Sequence, residues 1–174
     1  MESSAAAAAA GGGAAAEKMK VMVAVDDSDE SFQALQWVLD NLSQNYQSNL
    51  LITIVHVIEP LSHFVYPNPG VHAVFPTTSV IQSVNKAQEE DASAILTHAL
   101  DICTQRMVKA KTSIVEGDPK EMICNVADQM GVDLIAIGSR GLGKVKRAFM
   151  GSVSDYVIHH ASCPVLVIKP SAAS

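Results

Sequence analysis

The sequence predicts an α/β fold in which five parallel β-strands form one sheet and helices cover both of its faces. The first observation is a series of short, nearly all-apolar runs, such as KVMVAV at residues 20–25 and LLITIVHV at residues 50–57. Continuous apolar runs of this length are typical of strands that are buried on both faces of a parallel sheet. The second observation is that segments with helical spacing of apolar residues lie between these runs. The chain of 174 residues is long enough for one such domain.

Strands and helices are expected to alternate strictly along the chain. The expected strands lie at residues 20–25, 50–57, 111–115, 133–137 and 164–168. The expected helices lie at residues 31–42, 79–107, 120–130 and 153–160. In the long second helix, the residues expected to face the core are Ala87, Ala94, Ile95, Ala99, Ile102 and Cys103. The alternation implies right-handed crossovers and a Rossmann-like sheet, which binds ligands at the carboxyl ends of its strands where the strand order reverses.

Three helix starts carry capping signals. Asp118 stands directly before Pro119, which is the pattern of a capped helix with a proline at its first position. Ser152 is followed three residues later by an aspartate, so it is expected to cap the last helix. Either Asp27 or Ser28 is expected to cap the first helix.

The bulk composition restricts the kinds of partner. The formal net charge is −6, which argues against broad electrostatic binding to nucleic acid or to anionic membranes. The longest apolar runs are far shorter than the roughly 20 residues that a membrane-spanning helix needs. Three cysteines without a CxxC pair indicate reduced, mostly buried thiols, with a disulfide between two of them as the alternative. We therefore expect neither a nucleic-acid nor a membrane partner, and a location in the cytoplasm or also in the nucleus.

Two segments depart from the alternation. Residues 1–17 consist almost entirely of alanine, glycine and serine, and we interpret them as a disordered tail, with a transit peptide as the alternative. Residues 59–78 contain four prolines, which exclude regular structure there. This loop leaves the carboxyl end of the second strand, so it is either a lid over a ligand or a variable surface insertion. The folded domain is expected over residues 18–170, followed by a short tail at 171–174.

Glycines bracket the segment that follows the fourth expected strand. Gly138 and Gly141 lie at its start, and Gly151 and Ser152 lie at its end. Glycine lets backbone N–H groups approach a ligand closely, and a helix that starts at Ser152 offers unpaired N–H groups to a phosphate. Four of the twelve lysines and arginines fall within this segment, which adds positive charge. The alternative is a solvated basic loop whose glycines only turn the chain.

The spacing Gly138-x2-Gly141-x9-Gly151-Ser152 resembles the G-2x-G-9x-G-(S/T) pattern of the universal stress protein family, in its ATP-binding branch. The segments DDS at 26–28, IVHV at 54–57, VEGDP at 115–119 and SCPVLVI at 162–168 are similar to that family as well. The resemblance covers residues 19–170, and details such as GSRGLG resemble plant members. It implies an adenine nucleotide alpha hydrolase-like fold, with the nucleotide-binding domain at 18–170. The alanine-rich tail and the proline-rich loop depart from the family pattern.

The resemblance also implies a set of nucleotide-binding residues. Asp26 matches a position that contacts the adenosine end of the nucleotide, although an aspartate at a strand end is also a common turn residue. The backbone of Val57 matches a contact to adenine. Ile137 and Gly138 match the floor of the pocket. The phosphate cradle is matched by Gly141, Gly151, Ser152 and Val153, and Ser154 adds a hydroxyl. The full implied set is Ala24, Val25, Asp26, Val57, Ile137, Gly138, Gly141, Gly151, Ser152, Val153 and Ser154.

Three functions remain open at this point. The first is a regulatory stress-response module that binds ATP or AMP, with or without Mg²⁺; the second is a slow Mg²⁺-dependent ATPase or phosphotransferase; the third is a dimeric interaction module whose pocket stays empty. No nucleophile elbow and no acid–base pair of carboxylates is visible, which favours the first function over the second. His56 is interpreted as a hydrogen-bonded core residue, and the adjacent His159 and His160 lack metal-ligand spacing. The resemblance implies a homodimer that pairs through the strand at 164–168.

Overall fold

The computed structural model describes residues 18–43, 49–60, 77–140 and 150–169, which form one parallel β-sheet flanked by helices. The strands are β1 (Met19–Ala24), β2 (Leu50–Ile58), β3 (Ala110–Glu116), β4 (Leu134–Gly138) and β5 (Val165–Ile168). The helices are α1 (Asp29–Asn41), α2 (Thr78–Gln105), α3 (Pro119–Met130) and α4 (Ser152–His160). The predicted α/β class and the predicted order of strands and helices are confirmed within these ranges.

Some sequence predictions fall outside the described residues. They concern the tail at 1–17, most of the proline-rich loop at 61–76, Gly141 within the segment 141–149, and the last residues at 171–174. These remain predictions.

β1 lies at the centre of the sheet, whose strand order is β3-β2-β1-β4-β5. All pairings are parallel, and Val23 is aligned with Ile54 on β2 and with Ala136 on β4. The chain therefore builds outward from β1 through β2 to β3, and then returns past β1 to add β4 and β5. The strand order reverses between β1 and β4, so a crevice is expected at their carboxyl ends.

The sheet separates two apolar cores. On one face α1 and α2 pack against Val21, Val23 and Val25 of the first strand segment. On the other face α3 and α4 cover Met22 and Ala24. Successive side chains of a strand point to opposite faces, so a strand covered on both faces has to be apolar throughout. This explains why the run at 21–25 contains no polar residue.

Side-chain caps fix the starts of α1 and α3. Ser28 Oγ accepts a hydrogen bond from Ser31 N at 3.3 Å, and Asp118 Oδ1 accepts one from Lys120 N at 2.9 Å. Both caps agree with the sequence. The predicted cap of α4 is wrong, because extended Gly151 occupies the N-cap position and no side chain caps that helix. Ser152 is already helical there.

α2 is the longest described helix, and only its second half is buried. Its buried residues begin at Ala92, whereas Ala87 and Ala94 are exposed, so the prediction that these two face the core is wrong. Ala87 lies in the first half of α2, where no residue is buried. Ala94 lies on the side of α2 that lines a cavity together with Asp91, away from the buried Ala92 and Leu96. Neither α2 nor another described helix has the combination of length and apolar character needed to cross a membrane.

Candidate functional site

A cavity of about 1010 Å³ opens at the carboxyl edge of the sheet, above the crevice between β1 and β4. Its volume lies at the upper end of the range for small-molecule sites, which is roughly 300–1,000 Å³. The sequence predicted eleven residues for this site. One of them, Gly141, lies outside the described residues. The other ten all line the cavity: Ala24, Val25, Asp26, Val57, Ile137, Gly138, Gly151, Ser152, Val153 and Ser154.

Asp26 follows β1 and is half-buried at the edge of the crevice. Its Oδ1 accepts a hydrogen bond from Ser28 N at 3.1 Å and a shorter one from Ser28 Oγ. Asp26 N donates to Ser31 Oγ at 3.2 Å, which closes the turn between β1 and α1. The second carboxylate oxygen, Oδ2, has no hydrogen-bond donor among the described residues. Oδ1 thus holds the turn, as one sequence interpretation expects, while contact of Asp26 with a ligand remains a prediction.

Gly138 ends β4 directly against the first turn of α1. A Cβ atom at this position would lie 2.8 Å from the carbonyl carbon of Glu30 and 3.0 Å from Ser31 N. Side chains do not approach backbone atoms this closely, so α1 can start here only because residue 138 is glycine. The sequence alone indicates a close approach to a ligand, and the structure adds a close approach to the protein's own backbone.

Hydrogen bonds tie the start of α4 to the end of β4. Gly151 N donates to Ser139 O at 2.7 Å. Ser154 Oγ lies 3.1 Å from Ser139 O and 2.9 Å from Gly151 O, and Ser154 is only 2% exposed. The single hydroxyl hydrogen of Ser154 therefore has acceptors within the protein. Ser154 thus positions the helix start, and its expected contact to a ligand remains a prediction.

The first turn of α4 presents backbone amides at the cavity. The first N–H groups of an α-helix have no acceptor within the helix, and α4 has no side-chain cap. Ser152 and Val153 line the cavity, and Ser152 is exposed. The aligned peptide dipoles add a partial positive charge at this end of the helix. This arrangement can bind an anionic group such as a phosphate.

An apolar wall completes this side of the cavity. Ala24 and Ile137 are buried at the ends of β1 and β4, and half-buried Val57 and Val153 pack against the same core. All four belong to the face of the sheet that α3 and α4 cover. The wall can accommodate the flat, weakly polar part of a ligand.

The opposite wall was missed by the sequence reasoning. The rings of Phe32 and His98 meet edge to face, with centroids 4.7 Å apart. His56 Nδ1 lies 2.9 Å from Val25 O, and because a carbonyl can only accept, Nδ1 is the donor. The predicted hydrogen bond of His56 is present, yet His56 is half-buried and lines the cavity. We call this wall the α1–α2 lobe and define it by Phe32, His56, Asp91, Ala94, Ile95 and His98.

The cysteines and the paired histidines lie away from the cavity. All three cysteines are free thiols, and burial raises the pKa of Cys103 to about 11. Burial also raises the pKa values of Cys124 and Cys163. His159 and His160 each engage, through Nδ1, the backbone carbonyl four residues earlier. Across the described ranges, no group of three or more His, Cys, Asp or Glu side chains is arranged to hold a metal ion.

Comparison with known proteins agrees with the fold. The family model described as the Universal stress protein family matches residues 18–169. Universal stress protein YxiE from Bacillus subtilis is 31% identical over 150 residues, which cover 86% of this chain and 98% of that relative. The solved structure of universal stress protein UspA from Lactobacillus plantarum is 26% identical with a TM-score of 0.67, covering 88% of this chain and 99% of its own.

Solved structures of lower identity carry adenine nucleotides. A universal stress protein family protein from Arabidopsis thaliana, 24% identical with a TM-score of 0.63, has AMP bound and is matched over 88% of this chain and 93% of its own. A universal stress protein in complex with cAMP is 21% identical and is matched over 86% of this chain and 96% of its own. The universal stress protein from Archaeoglobus fulgidus in complex with dAMP is also 21% identical and is matched over 87% of this chain and 98% of its own. Their TM-scores of 0.61 and 0.58 show a shared fold. Because the family match spans nearly the whole chain, this chain belongs to the universal stress protein family.

Proposed function

We propose that this chain binds an adenine nucleotide, ATP or AMP, in the cavity at the carboxyl ends of β1 and β4, and that it acts as a regulatory module in the stress response. The observation that carries the proposal is that one cavity combines an uncapped helix start with an apolar wall. Family membership supports it, and so do the AMP, cAMP and dAMP that solved structures of the same fold contain.

In the proposed complex the phosphate lies at the first turn of α4. Ser152 and Val153 supply N–H groups that have no acceptor within the helix. Gly151 lies between these residues and β4, and Ser154 holds the turn in place through its hydroxyl. A phosphate bound here accepts hydrogen bonds and also interacts favourably with the helix dipole. We expect Gly141 to complete the cradle.

The adenosine lies on the other side of the phosphate, along the apolar wall. Ala24, Val57 and Ile137 provide apolar surface for the base. Asp26 Oδ2 is available to accept a hydrogen bond from a ribose hydroxyl or from an amino group. Because a carboxylate repels phosphate, Asp26 also favours the orientation in which the phosphate points toward α4.

Calorimetric titration with AMP, ATP and GMP tests this placement. We expect saturable binding of AMP and ATP and weaker binding of GMP. Asp26→Asn keeps Oδ1, which holds the turn, and replaces the free acceptor with an amide donor, so AMP affinity should fall by about tenfold. Asp27→Asn is the matched control, since it removes the same charge from the neighbouring residue. The proposal is wrong if no adenine nucleotide binds, and the adenosine placement is wrong if Asp26→Asn binds AMP like the wild type.

Hydrolysis is tested separately, by phosphate release from ATP in the presence of Mg²⁺. The regulatory proposal expects no turnover. A steady release of phosphate that is abolished by Gly141→Val would replace it with the second function, a slow Mg²⁺-dependent ATPase or phosphotransferase.

We also propose that two copies of the chain pair through β5, which is an edge strand. Its four residues are apolar and half-buried. The carbonyl groups of Pro164 and Ile168 accept hydrogen bonds from Ile135 N of β4 and from Ser139 N directly after it. The backbone groups of Val165 and Val167 therefore point to the free edge. Val167→Pro removes one outward N–H without affecting the β4 ladder, and Val167→Ala is its control. In sedimentation velocity we expect a dimer for the wild type and the control and a monomer for Val167→Pro; a monomeric wild type contradicts the pairing.

Three finer assignments are also proposals. They are a nucleotide-binding domain at residues 18–170, membership of the plant-type ATP-binding branch, and a location in the cytoplasm or also in the nucleus. Limited proteolysis tests the first, and co-purified nucleotide identified by mass spectrometry tests the ATP preference. Fluorescence microscopy of a tagged chain tests the location.

A further inference from the structure

The α1–α2 lobe takes no part in the proposed nucleotide placement. The base and phosphate use residues on the face of the sheet that α3 and α4 cover, together with the start of α4. The lobe lies on the opposite face, where α1 and α2 pack. It belongs to the same cavity, so a ligand in the nucleotide site has direct access to it.

The lobe combines an aromatic surface with hydrogen-bond acceptors. Phe32 and His98 present an edge-to-face pair of rings beside Ile95. Since His56 Nδ1 donates to a carbonyl, the second ring nitrogen of a neutral His56 can only accept. The exposed Asp91 carboxylate is another acceptor. None of the six residues that define the lobe is a lysine or arginine, whereas Arg140 lines another part of the same cavity. The lobe therefore suits an uncharged group that carries hydrogen-bond donors and disfavours an anionic group.

The lobe begins at the first turn of α1, where Gly138 of the pocket floor packs. Gly138 packs so closely on α1 that a Cβ atom there would lie 3.0 Å from Ser31 N. Phe32, the first residue of the lobe, follows Ser31 directly in α1. Ser31 and the lobe line the same cavity as the start of α4, so a group attached to the phosphate end of a nucleotide can reach the lobe without leaving the cavity.

We propose that the α1–α2 lobe is a second ligand subsite, and that the preferred ligand is adenosine diphosphate joined to a neutral, hydroxyl-bearing group such as a second sugar. The inference rests on the proposed function for its adenosine half. Hydroxyl groups of the added sugar donate to Asp91 and His56, and its apolar face packs on Phe32. A free terminal phosphate lacks these interactions and meets the Asp91 carboxylate instead.

The test compares ADP with ADP-ribose in calorimetric titrations of the full chain. We expect ADP-ribose to bind about tenfold more tightly than ADP, as one or two additional hydrogen bonds provide. Ala94→Phe places a large side chain in the lobe from an exposed helical position, so the ratio of the two affinities should fall to about one. Ala87→Phe is the matched control, because Ala87 is exposed on the same helix and lies outside the cavity. The control should retain the preference.

A second measurement locates the added sugar directly. In ¹⁵N-labelled protein, ADP-ribose should shift the amide signals of residues 94–98, whereas ADP should leave them in place. Equal affinities of the wild type for the two ligands, or a preference that survives Ala94→Phe, would overturn the subsite while leaving adenine-nucleotide binding intact. A wild type that binds neither ADP nor AMP would instead overturn the proposed function, and the subsite with it.

Discussion

The start of α4 allows a single backbone donor to be removed without a change in fold. Ser152 occupies the first helical position, and Gly151 before it has φ −65° and ψ 149°. Proline is favoured at the first position of a helix, and a preceding residue with extended ψ is compatible with it. Ser152→Pro therefore deletes the N–H group of residue 152 and its hydroxyl while the helix is retained. Ser152→Ala deletes the hydroxyl alone and is the matched control.

The expected magnitude follows from the charge of the acceptor. A hydrogen bond to a charged group contributes roughly 1.5–3 kcal/mol, so Ser152→Pro should weaken AMP binding by about ten- to a hundredfold. The exposed Ser152 hydroxyl caps nothing, so Ser152→Ala should change the affinity by less than about threefold and leave the free energy of unfolding unchanged. Calorimetric titration with AMP measures the affinities, and urea unfolding verifies that both variants are folded.

If folded Ser152→Pro binds AMP with wild-type affinity, the first amide of α4 does not hold the phosphate. If Ser152→Ala loses as much affinity as Ser152→Pro, the hydroxyl is the donor and the backbone interpretation is wrong.

Three further predictions concern stability. Gly138→Ala forces a Cβ atom against the α1 backbone and should lower the free energy of unfolding by about 1–3 kcal/mol in urea titrations. Gly151→Ala is the control and should cost less, because its Cβ atom would lie 3.3 Å from its nearest neighbour. Equal losses would contradict the close packing at Gly138. Asp118→Ala removes the α3 cap and should cost about 1 kcal/mol, so undiminished stability would show that the cap is dispensable. Burial raises the pKa of Cys103 from 9.0 to about 11, which favours the protonated thiol in the folded state. The resulting stabilisation is complete below pH 9 and is lost as the pH rises toward 11, and Cys103→Val should remove this part of the pH dependence; parallel unfolding curves for variant and wild type would contradict it.

The sheet could be predicted because its strands have to be apolar on both faces. The run at residues 21–25 carries this signal clearly, and the alternation with helices implies parallel pairing. The sequence does not show where the sheet ends beneath a long helix. Helical spacing also does not show which side of α2 faces a cavity instead of the sheet, so Ala87 and Ala94 are predicted in the core although both are exposed.

The candidate site could be predicted on one side only. The glycine spacing leads to Gly138 and to the start of α4, which line the cavity. The α1–α2 lobe has no local motif, because Phe32 and His98 meet only when α2 folds back along β2. The N-cap of α4 could not be predicted either, because the pattern S-x-x-D fits Ser152 at the N-cap or at the first helical position. The extended backbone of Gly151 makes Gly151 the N-cap and Ser152 the first helical residue.

The position of β1 at the centre of the sheet has a consequence for synthesis on the ribosome. β1 is made first, but its neighbour β4 and the start of α4 emerge more than a hundred residues later. Until then one edge of β1 has no partner, and the cavity lacks the wall to which Gly151 and Ser152 contribute. Any ligand that binds this cavity therefore stabilises only chains whose synthesis has passed the start of α4.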